Sequence, residues 1–344
     1  DISVEKVMGM ENPWRYRNKA QFPVGKDKDG NLITGFYAGR THSIIPNTNC
    51  YLGVEVNEEI LNAVLDYMRE NHVKPYDEGT GKGLVRHILI RYGFKTKEIM
   101  VCVIINGRKI PNAAGLIAKL KNISGMTSIT LNVNTKRNNV ILGNEILPLW
   151  GKEFITDYIG EVKYQISPLS FYQVNPVQTE VLYGKAMEFA AMTGKERVID
   201  AYCGTGTIGI IASGNARDVI GVEAIRDARM NARENKIRNV RFVPGDAGWF
   251  MEGIAAEGEK VEVVLMDPPR SGSDRKFLHS LLTLSPEKIV YVSCNPESLA
   301  RDLACLTKRD YLVKKMQPVD MFPLTDSVEV VCLLENRRTR PGRA

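Results

Sequence analysis

The hydrophobic positions change rhythm part-way along the chain. In the first part, short β-rich runs, Val85 to Arg91 and Ile129 to Val133, alternate with segments whose apolar residues recur every three or four positions. Glu58 to Asn71 carries Ile60, Leu61, Val64, Leu65 and Met68 at helical spacing, and Asn112 to Ile123 does the same with Leu116, Ile117 and Leu120. This pattern predicts a mixed α+β module over residues 1–160. From about Val162 onward strand, glycine turn and helix follow one another regularly, which predicts parallel βαβ units in a doubly wound, Rossmann-like α/β sheet over residues 161–336. Its expected strands are Arg197 to Ala201, Val219 to Val222, Val240 to Val243, Val261 to Met266, Lys288 to Val292 and Val328 to Leu334.

Length agrees with this division, because 344 residues at roughly 150 per domain make about two domains. With 44% apolar and 25% charged residues, neither a fibrous repeat nor extended disorder explains the chain. Its longest apolar runs, such as Ile99 to Ile105, fall far short of the ~18 to 20 residues needed to cross a bilayer. The balance of 46 basic against 40 acidic residues, net +6, suits a polyanionic partner without requiring one. Six cysteines are scattered singly, with no CxxC or paired spacing to suggest a disulfide framework or a complete metal site, and this points to a reducing compartment, the cytoplasm. Of these, Cys102, Cys305 and Cys332 read as small buried hydrophobes, and Cys203 as packing in a glycine turn. The chain opens on Asp1 with no basic and apolar leader, and reads as a piece of a longer one. Residues 337–344 form a basic tail, either solvated or in contact with RNA phosphates.

Candidate chemistry begins at Val198-Ile199-Asp200-Ala201-Tyr202-Cys203-Gly204-Thr205-Gly206, a buried strand entering a glycine turn. Glycines there permit positive φ and let a nucleotide approach the backbone. Gly204, Gly206 and Gly209 also spell a dinucleotide fingerprint, with Glu223 placed for ribose hydroxyls, so the turn alone fits a nicotinamide or a methyl-donor cofactor. Met266-Asp267-Pro268-Pro269-Arg270 ends the fourth strand at the carboxyl edge, where doubly wound folds bind ligands, and its two prolines stiffen the turn that presents Asp267. The fifth strand ends in Ser293-Cys294-Asn295-Pro296, aiming a thiol at the same edge. A following helix N-terminus and a cationic neighbour would favour its thiolate.

The ordered segments Asp267-Pro-Pro-Arg, Ser293-Cys-Asn-Pro and Asp320-Met-Phe-Pro-Leu-Thr-Asp-Ser-Val-Glu329 resemble those of the TrmA-type RNA (uracil-C5) methyltransferases. Ser167-Pro-Leu-Ser-Phe-Tyr-Gln173-Val-Asn175 and Trp14-Arg-Tyr-Arg-Asn-Lys-Ala-Gln21 extend the resemblance over nearly the whole chain, with the ribosomal enzymes of Gram-positive bacteria closest in arrangement. The resemblance implies an S-adenosylmethionine-dependent enzyme in which Cys294 adds to uracil C6 and Glu329 removes the C5 proton. It implies cofactor contacts from Gln173, Tyr202, Gly204, Glu223 and Asp267, with Asp246 a further candidate for the adenine amine. Two departures stand out. Leu324, Asp326 and Ser327 occupy positions where many members carry histidine, and of the family's iron–sulfur cysteines only Cys50 has a counterpart, so a cluster is not supported and Cys50 is at most an orphaned ligand.

To react within structured RNA, a uracil must leave its stack, so rings and cations are expected around it. Arg15, Arg17 and Lys19, interleaved with Trp14 and Tyr16, are the leading RNA-binding candidates, together with Arg270; Phe36, Tyr37, Arg40, Arg86, His87 and Arg91 offer similar chemistry. An RNA cytosine-C5 methyltransferase would place a second cysteine beside Asp267-Pro-Pro, and none is there; a nicotinamide oxidoreductase leaves Cys294 and Glu329 unexplained. The resemblance favours ribosomal RNA as the target and leaves transfer RNA open.

Overall fold

The computed structural model describes residues 2–223 and 226–339. These fall into two compact units. The first comprises residues 14–158 and 164–176, the second the described residues of 1–13, 159–163 and 177–344. The expected single boundary near residue 160 is therefore crossed more than once, because two flanking segments pair away from their sequence neighbours.

In the first unit, β1 (Lys19–Lys26), β2 (Leu32–Tyr37), β3 (Ile44–Pro46), β4 (Val85–Tyr92), β5 (Ile99–Ile105), β6 (Met126–Val133) and β7 (Glu145–Gly151) form one sheet in the order β3-β2-β1-β4-β5-β6-β7. All neighbours are antiparallel except β5 and β6, which are joined through α2 (Ala113–Leu120) in a βαβ unit. Helix α1 (Val56–Glu70) and α2 bury Ile60, Leu61, Val64, Leu116 and Leu120 against Ile88, Ile90, Val101 and Val103. Strand β5 is buried at every residue, which is why it reads as an uninterrupted apolar run. Residues 164–176 belong here because Arg91 donates to the carbonyls of Pro168 and Ser170, and Asn18 N donates to Val174 O at 2.8 Å.

The chain continues through β8 (Ile155–Ile159), β9 (Val162–Ile166) and α3 (Pro176–Ala190) into the second sheet. Strands β10 (Arg197–Asp200), β11 (Asp218–Val222), β12 (Val240–Val243), β13 (Val263–Met266) and β14 (Lys288–Ser293) are parallel, as expected. The connecting helices are α4 (Thr207–Ala212), α5 (Arg226–Glu234), α6 (Ala247–Ala256), α7 (Arg275–Leu284) and α8 (Pro296–Thr307). Seven strands are present rather than six, because Tyr311–Val319 forms β15 at the sheet edge. Its paired lysines and Pro318 break the apolar signal, as they do on edge strands that must not recruit another chain. The last strand, β16 (Glu329–Asn336), inserts antiparallel between β14 and β15, giving the order β12-β11-β10-β13-β14-β16-β15. Residues 2–13 join this unit because Val4 and Met8 bridge to Met316 and Val319 outside β15, and Glu5 N donates to Met316 O at 2.9 Å.

No described helix is long and apolar enough to cross a membrane. Arg337 to Thr339 form a short 3-10 turn in which the Arg338 guanidinium pairs with Asp310 at 2.9 Å; residues 340–344 of the expected basic tail lie outside the described residues. Ile289, fully buried on the central strand β14, is part of the core formed by Ile199, Val264, Leu281 and Leu334. Ile289→Ala should cost about 2 to 5 kcal/mol, read as a lower urea midpoint for this unit with little change in slope.

Candidate active site

Because β10 to β14 run the same way, their carboxyl ends share one edge, and the loops after them carry Tyr202, Gly204, Glu223, Asp246, Asp267 and Cys294. Strand β16 runs the other way, so its first residue reaches that edge. Ser293 is paired with Val330, which places Cys294 and Glu329 next to each other one step further along.

The glycine turn after β10 is built as its sequence suggests. Gly204 and Gly206 have φ of 51° and 81°, and Gly206 opens α4; a Cβ there would come within 2.9 Å of the Phe242 ring. Cys203 packs in a small cluster with Ile210, Ala228 and Phe242. Tyr202 lies 4.9 Å from the Phe277 ring and its hydroxyl shares a 3.1 Å hydrogen bond with Ser273 Oγ. At the end of β11, Glu223 adopts a left-handed φ of 62°, uncommon for a residue with a side chain, and accepts from Ala247 N at 3.3 Å. Burial, with Asp246 and Asp274 nearby, holds its carboxyl above the usual range. Asp246 caps α6, accepting from Trp249 N at 2.9 Å. Gln173 lies in the first unit, where its carbonyl accepts from Asn18 Nδ2 at 2.8 Å; the other cofactor candidates lie in the second.

Around the thiol, each neighbouring residue is held. Ser293 Oγ and the Asn295 backbone exchange bonds of 3.0 and 3.2 Å, Asn295 caps α8 by accepting from Glu297 N, and its Nδ2 donates to Arg270 O at 3.0 Å. The turn carrying Asp267 is thus tied to the segment carrying Cys294. The Arg270 guanidinium reaches Ser327 Oγ at 3.4 Å.

The electrostatics depart from expectation. Burial pushes the Asp267 carboxyl up to about 7, and burial together with Asp267 pushes Glu329 up to about 8, against the opposing pull of Arg270. The Cys294 thiol is also held above its ordinary value, first by burial and then by Glu329 and Asp267, with Arg270 and a backbone donor opposing. The thiolate-favouring setting expected from the helix N-terminus and a cation is therefore outweighed in the free protein. One cation faces two carboxyls and a partly desolvated sulfur.

Two buried acids escaped the sequence reading. Asp200 is fully buried at the end of β10; it accepts from Gly209 N at 2.8 Å, its other oxygen has no partner, and burial pushes it up to about 7. An aspartate inside Val198-Ile199-Asp200-Ala201 was a visible anomaly. Asp302, also fully buried, accepts from Tyr291 Oη and Ser273 N, both at 2.8 Å, while Arg301 bonds it and donates to the carbonyls of Ser271 and Ser273. It occupies the apolar stripe Leu299, Leu303 and Leu306 of α8, a position where a carboxylate needs partners. Helix α8 thereby clamps the loop that follows Asp267.

Other expectations are revised. Cys102 and Cys332 are buried, but Cys305 is exposed on α8. Arg15 donates to the carbonyls of Cys50 and Gly53 and to Asn49 Oδ1, and lies over the Tyr51 ring at 4.8 Å, so its donors hold a turn. Arg86, His87 and Arg91 are buried, and Arg86 donates to Asn134 O and Lys136 O. Among the described residues no group of three His, Cys, Asp or Glu side chains is placed to hold a metal ion.

With this geometry in place, comparison with known proteins decides the family. The sequence profile described as tRNA (Uracil-5-)-methyltransferase matches residues 12–337. The chain belongs to this family. Uncharacterized RNA methyltransferases of Clostridium tetani and Halalkalibacterium halodurans are 47% and 48% identical to it over 339 residues, 97% of this chain and 74% of each relative. The crystal structure of Pyrococcus abyssi tRNA (uracil-54, C5)-methyltransferase in complex with S-adenosyl-L-homocysteine superposes with a TM-score of 0.80 at 27% identity, covering 96% of this chain and 78% of that one. This member of the tRNA (uracil-5-)-methyltransferase family is an S-adenosylmethionine-dependent RNA methyltransferase, and the doubly wound sheet is the fold expected of it.

At the pH where the thiol ionises, Glu329 is already a carboxylate, so removing its charge should ease thiolate formation. Alkylation of the Cys294 peptide by iodoacetamide, followed by mass spectrometry against pH, should shift to lower pH in Glu329→Gln and to higher pH in Arg270→Gln.

Proposed function

We propose that this chain forms 5-methyluridine in ribosomal RNA, with Cys294 as nucleophile, Glu329 as base and the cofactor held at the carboxyl edge of β10 to β13. The observation that carries the reading is the juxtaposition of Cys294 and Glu329 across β14 and β16 in a chain of this family. Uracil C5 is a weak nucleophile until a thiolate adds at C6. Addition of Sγ breaks the C5–C6 double bond and leaves C5 electron-rich, with charge spread to the C4 oxygen, where Arg270 can stabilise it. S-adenosylmethionine supplies the electrophilic methyl group that C5 takes up. Glu329 then removes the remaining C5 proton, and the returning electron pair restores the double bond and expels Sγ.

Tyr202, Gly204, Glu223, Asp246 and Asp267 are assigned to the cofactor. The open glycine turn and the carboxylate of Glu223 at the end of β11 fit a ribosylated, close-lying ligand. Asp246 already serves as a helix cap, and one carboxylate oxygen remains for a ligand only alongside that task. On this reading the second unit is catalytic and the first binds RNA. In the first unit Arg17 and Lys19, neither in an ion pair among the described residues, line a cavity of about 530 Å³. Burial, with Arg91 and Arg17 close by, lowers the Lys19 ammonium to about 8, a setting that an RNA phosphate would relieve. Six unpaired cysteines support a reducing cytoplasmic setting. Ribosomal RNA is favoured by the sequence resemblance; a transfer RNA target is the second reading, supported by the Pyrococcus abyssi structure and the family's description.

The test is mass spectrometry of the protein with S-adenosylmethionine and 5-fluorouridine-containing ribosomal and transfer RNA hairpins. Fluorine cannot leave as a proton, so a covalent adduct should persist on the true target and be absent in Cys294→Ala. Adducts confined to transfer RNA would move the substrate assignment, and none on either would overturn the reading. With unmodified RNA, Glu329→Gln should lower turnover about 10²- to 10⁴-fold while the covalent species accumulates. The pH dependence follows from the raised pKa of Glu329. As a base it must be ionised, so kcat should still be rising at pH 7, and because the Cys294 thiol is also held above its ordinary value, kcat/KM should go on rising above pH 8; a plateau of either by pH 6 would contradict this.

A further inference from the structure

We infer that the first unit holds a second RNA-contacting site, a pocket that takes a single-stranded stretch of the substrate by stacking a base on Tyr37 and Tyr76 and seating phosphates on lysines. The inference rests on the RNA reading above and extends it to residues that neither the sequence nor the comparisons assign. The pocket, about 760 Å³, lies where the β1–β2 hairpin meets the loop over residues 74–83. Lys26, Lys28, Lys74 and Lys82 line it; all four are exposed and none forms an ion pair among the described residues.

Three carboxylates share the pocket, yet each is engaged within the protein. Asp27 accepts from Asp29 N, Asn31 N and Asn31 Nδ2 at 2.8 to 3.0 Å, closing the hairpin turn. Asp77 accepts from Thr80 N and Thr80 Oγ1 at 2.7 and 2.8 Å. Glu78 pairs with His42 Nδ1 at 2.5 Å and also bonds Tyr37. The negative charge is thus fixed in turns, while the ammonium groups remain available to an outside anion.

Rings complete the surface. Tyr37 is 37% exposed and tilted 39° against His42, with centroids 5.2 Å apart. Tyr76 has the Arg86 guanidinium 4.4 Å from its centroid. Edge-on to Tyr37 at 6.2 Å stands His87, 5% exposed, with neither ring nitrogen bonded. The exposed Tyr37 ring and the half-buried Tyr76 ring, flanked by lysines without ion pairs among the described residues, are the composition that binds unpaired RNA without strict sequence preference, since every base has a stacking face and every nucleotide a phosphate. A duplex offers no unstacked base, so the occupant is a single-stranded stretch of the substrate RNA.

The probe is a fluorescein-labelled oligouridylate. Lys26→Glu with Lys74→Glu should raise its Kd about tenfold and flatten the slope of log Kd against log salt by about 1.4, at about 0.7 for each phosphate no longer neutralised. The same variant should raise KM for RNA in methyl transfer and leave kcat unchanged. Cross-linking 5-iodouridine oligonucleotide to the wild-type protein should label the Tyr37 or Tyr76 peptide, which does not depend on any variant folding. An unchanged Kd, salt slope and KM, or labels elsewhere only, would overturn the inference. Saturation by uridine monophosphate with no oligonucleotide binding would make it a small-molecule site and equally overturn it. If the wild-type protein binds and cross-links as expected but methylates no RNA, the proposed function falls and the pocket stands.

Discussion

The reversal of a single strand determines what this site can do. Were β16 parallel like β10 to β14, Glu329 would begin at the opposite edge of the sheet, away from Cys294. Inserted antiparallel between β14 and β15, it starts where β14 ends, and the register that matches Ser293 with Val330 brings Glu329 to Cys294. The hydrogen bonds of two central ladders hold that relation, and β16, buried on both faces at nearly every residue, lies within the core of the sheet.

Bringing these groups together has an electrostatic cost. Asp267, Glu329 and Cys294 are three acids in a partly desolvated corner with Arg270 as the opposing charge, and each is held toward its protonated form. A protonated thiol suits a protein without substrate, since an exposed thiolate invites oxidation. Rigidity compensates for the lack of pre-ionisation. The Asn295 amide on Arg270 O, and Arg301 and Asp302 on the loop through Ser271 and Ser273, fix the two turns to each other through α8.

The first unit shows how little a basic residue's type says about its availability. Of the cations that the sequence offered, Arg15, Arg86 and Arg91 have guanidinium groups occupied by backbone carbonyls. Guanidinium groups are suited to that task, with several donors in a fixed plane and weak hydration. The lysines without ion-pair partners lie on hairpin and loop residues with no pattern along the chain, and they gather only because the turn after β1 and the 74–83 loop border the same cavity.

The sequence by itself determined the sheet class and most of its strands, and it singled out Asp267, Cys294 and Glu329 as candidates because they sit in local motifs that end or begin strands. Buried parallel strands show as apolar runs whatever their neighbours are, and glycine turns show wherever positive φ is required. What only the tertiary structure decided depends on partners distant in sequence. The edge strand β15 was hidden because lysines and proline suit an edge and erase the apolar rhythm. Asp302 was hidden because a buried carboxylate is stable only with Tyr291, Ser273 and Arg301 around it, and those contacts come from three separate segments. Cys305 was misread because a lone cysteine's burial depends on which face of its helix meets the core. The protonation of Cys294 was misread for a related reason: local sequence gives the helix start and the nearby cation, but the summed field of Glu329, Asp267 and Arg270, and the desolvation that outweighs them, exist only once the strands are side by side.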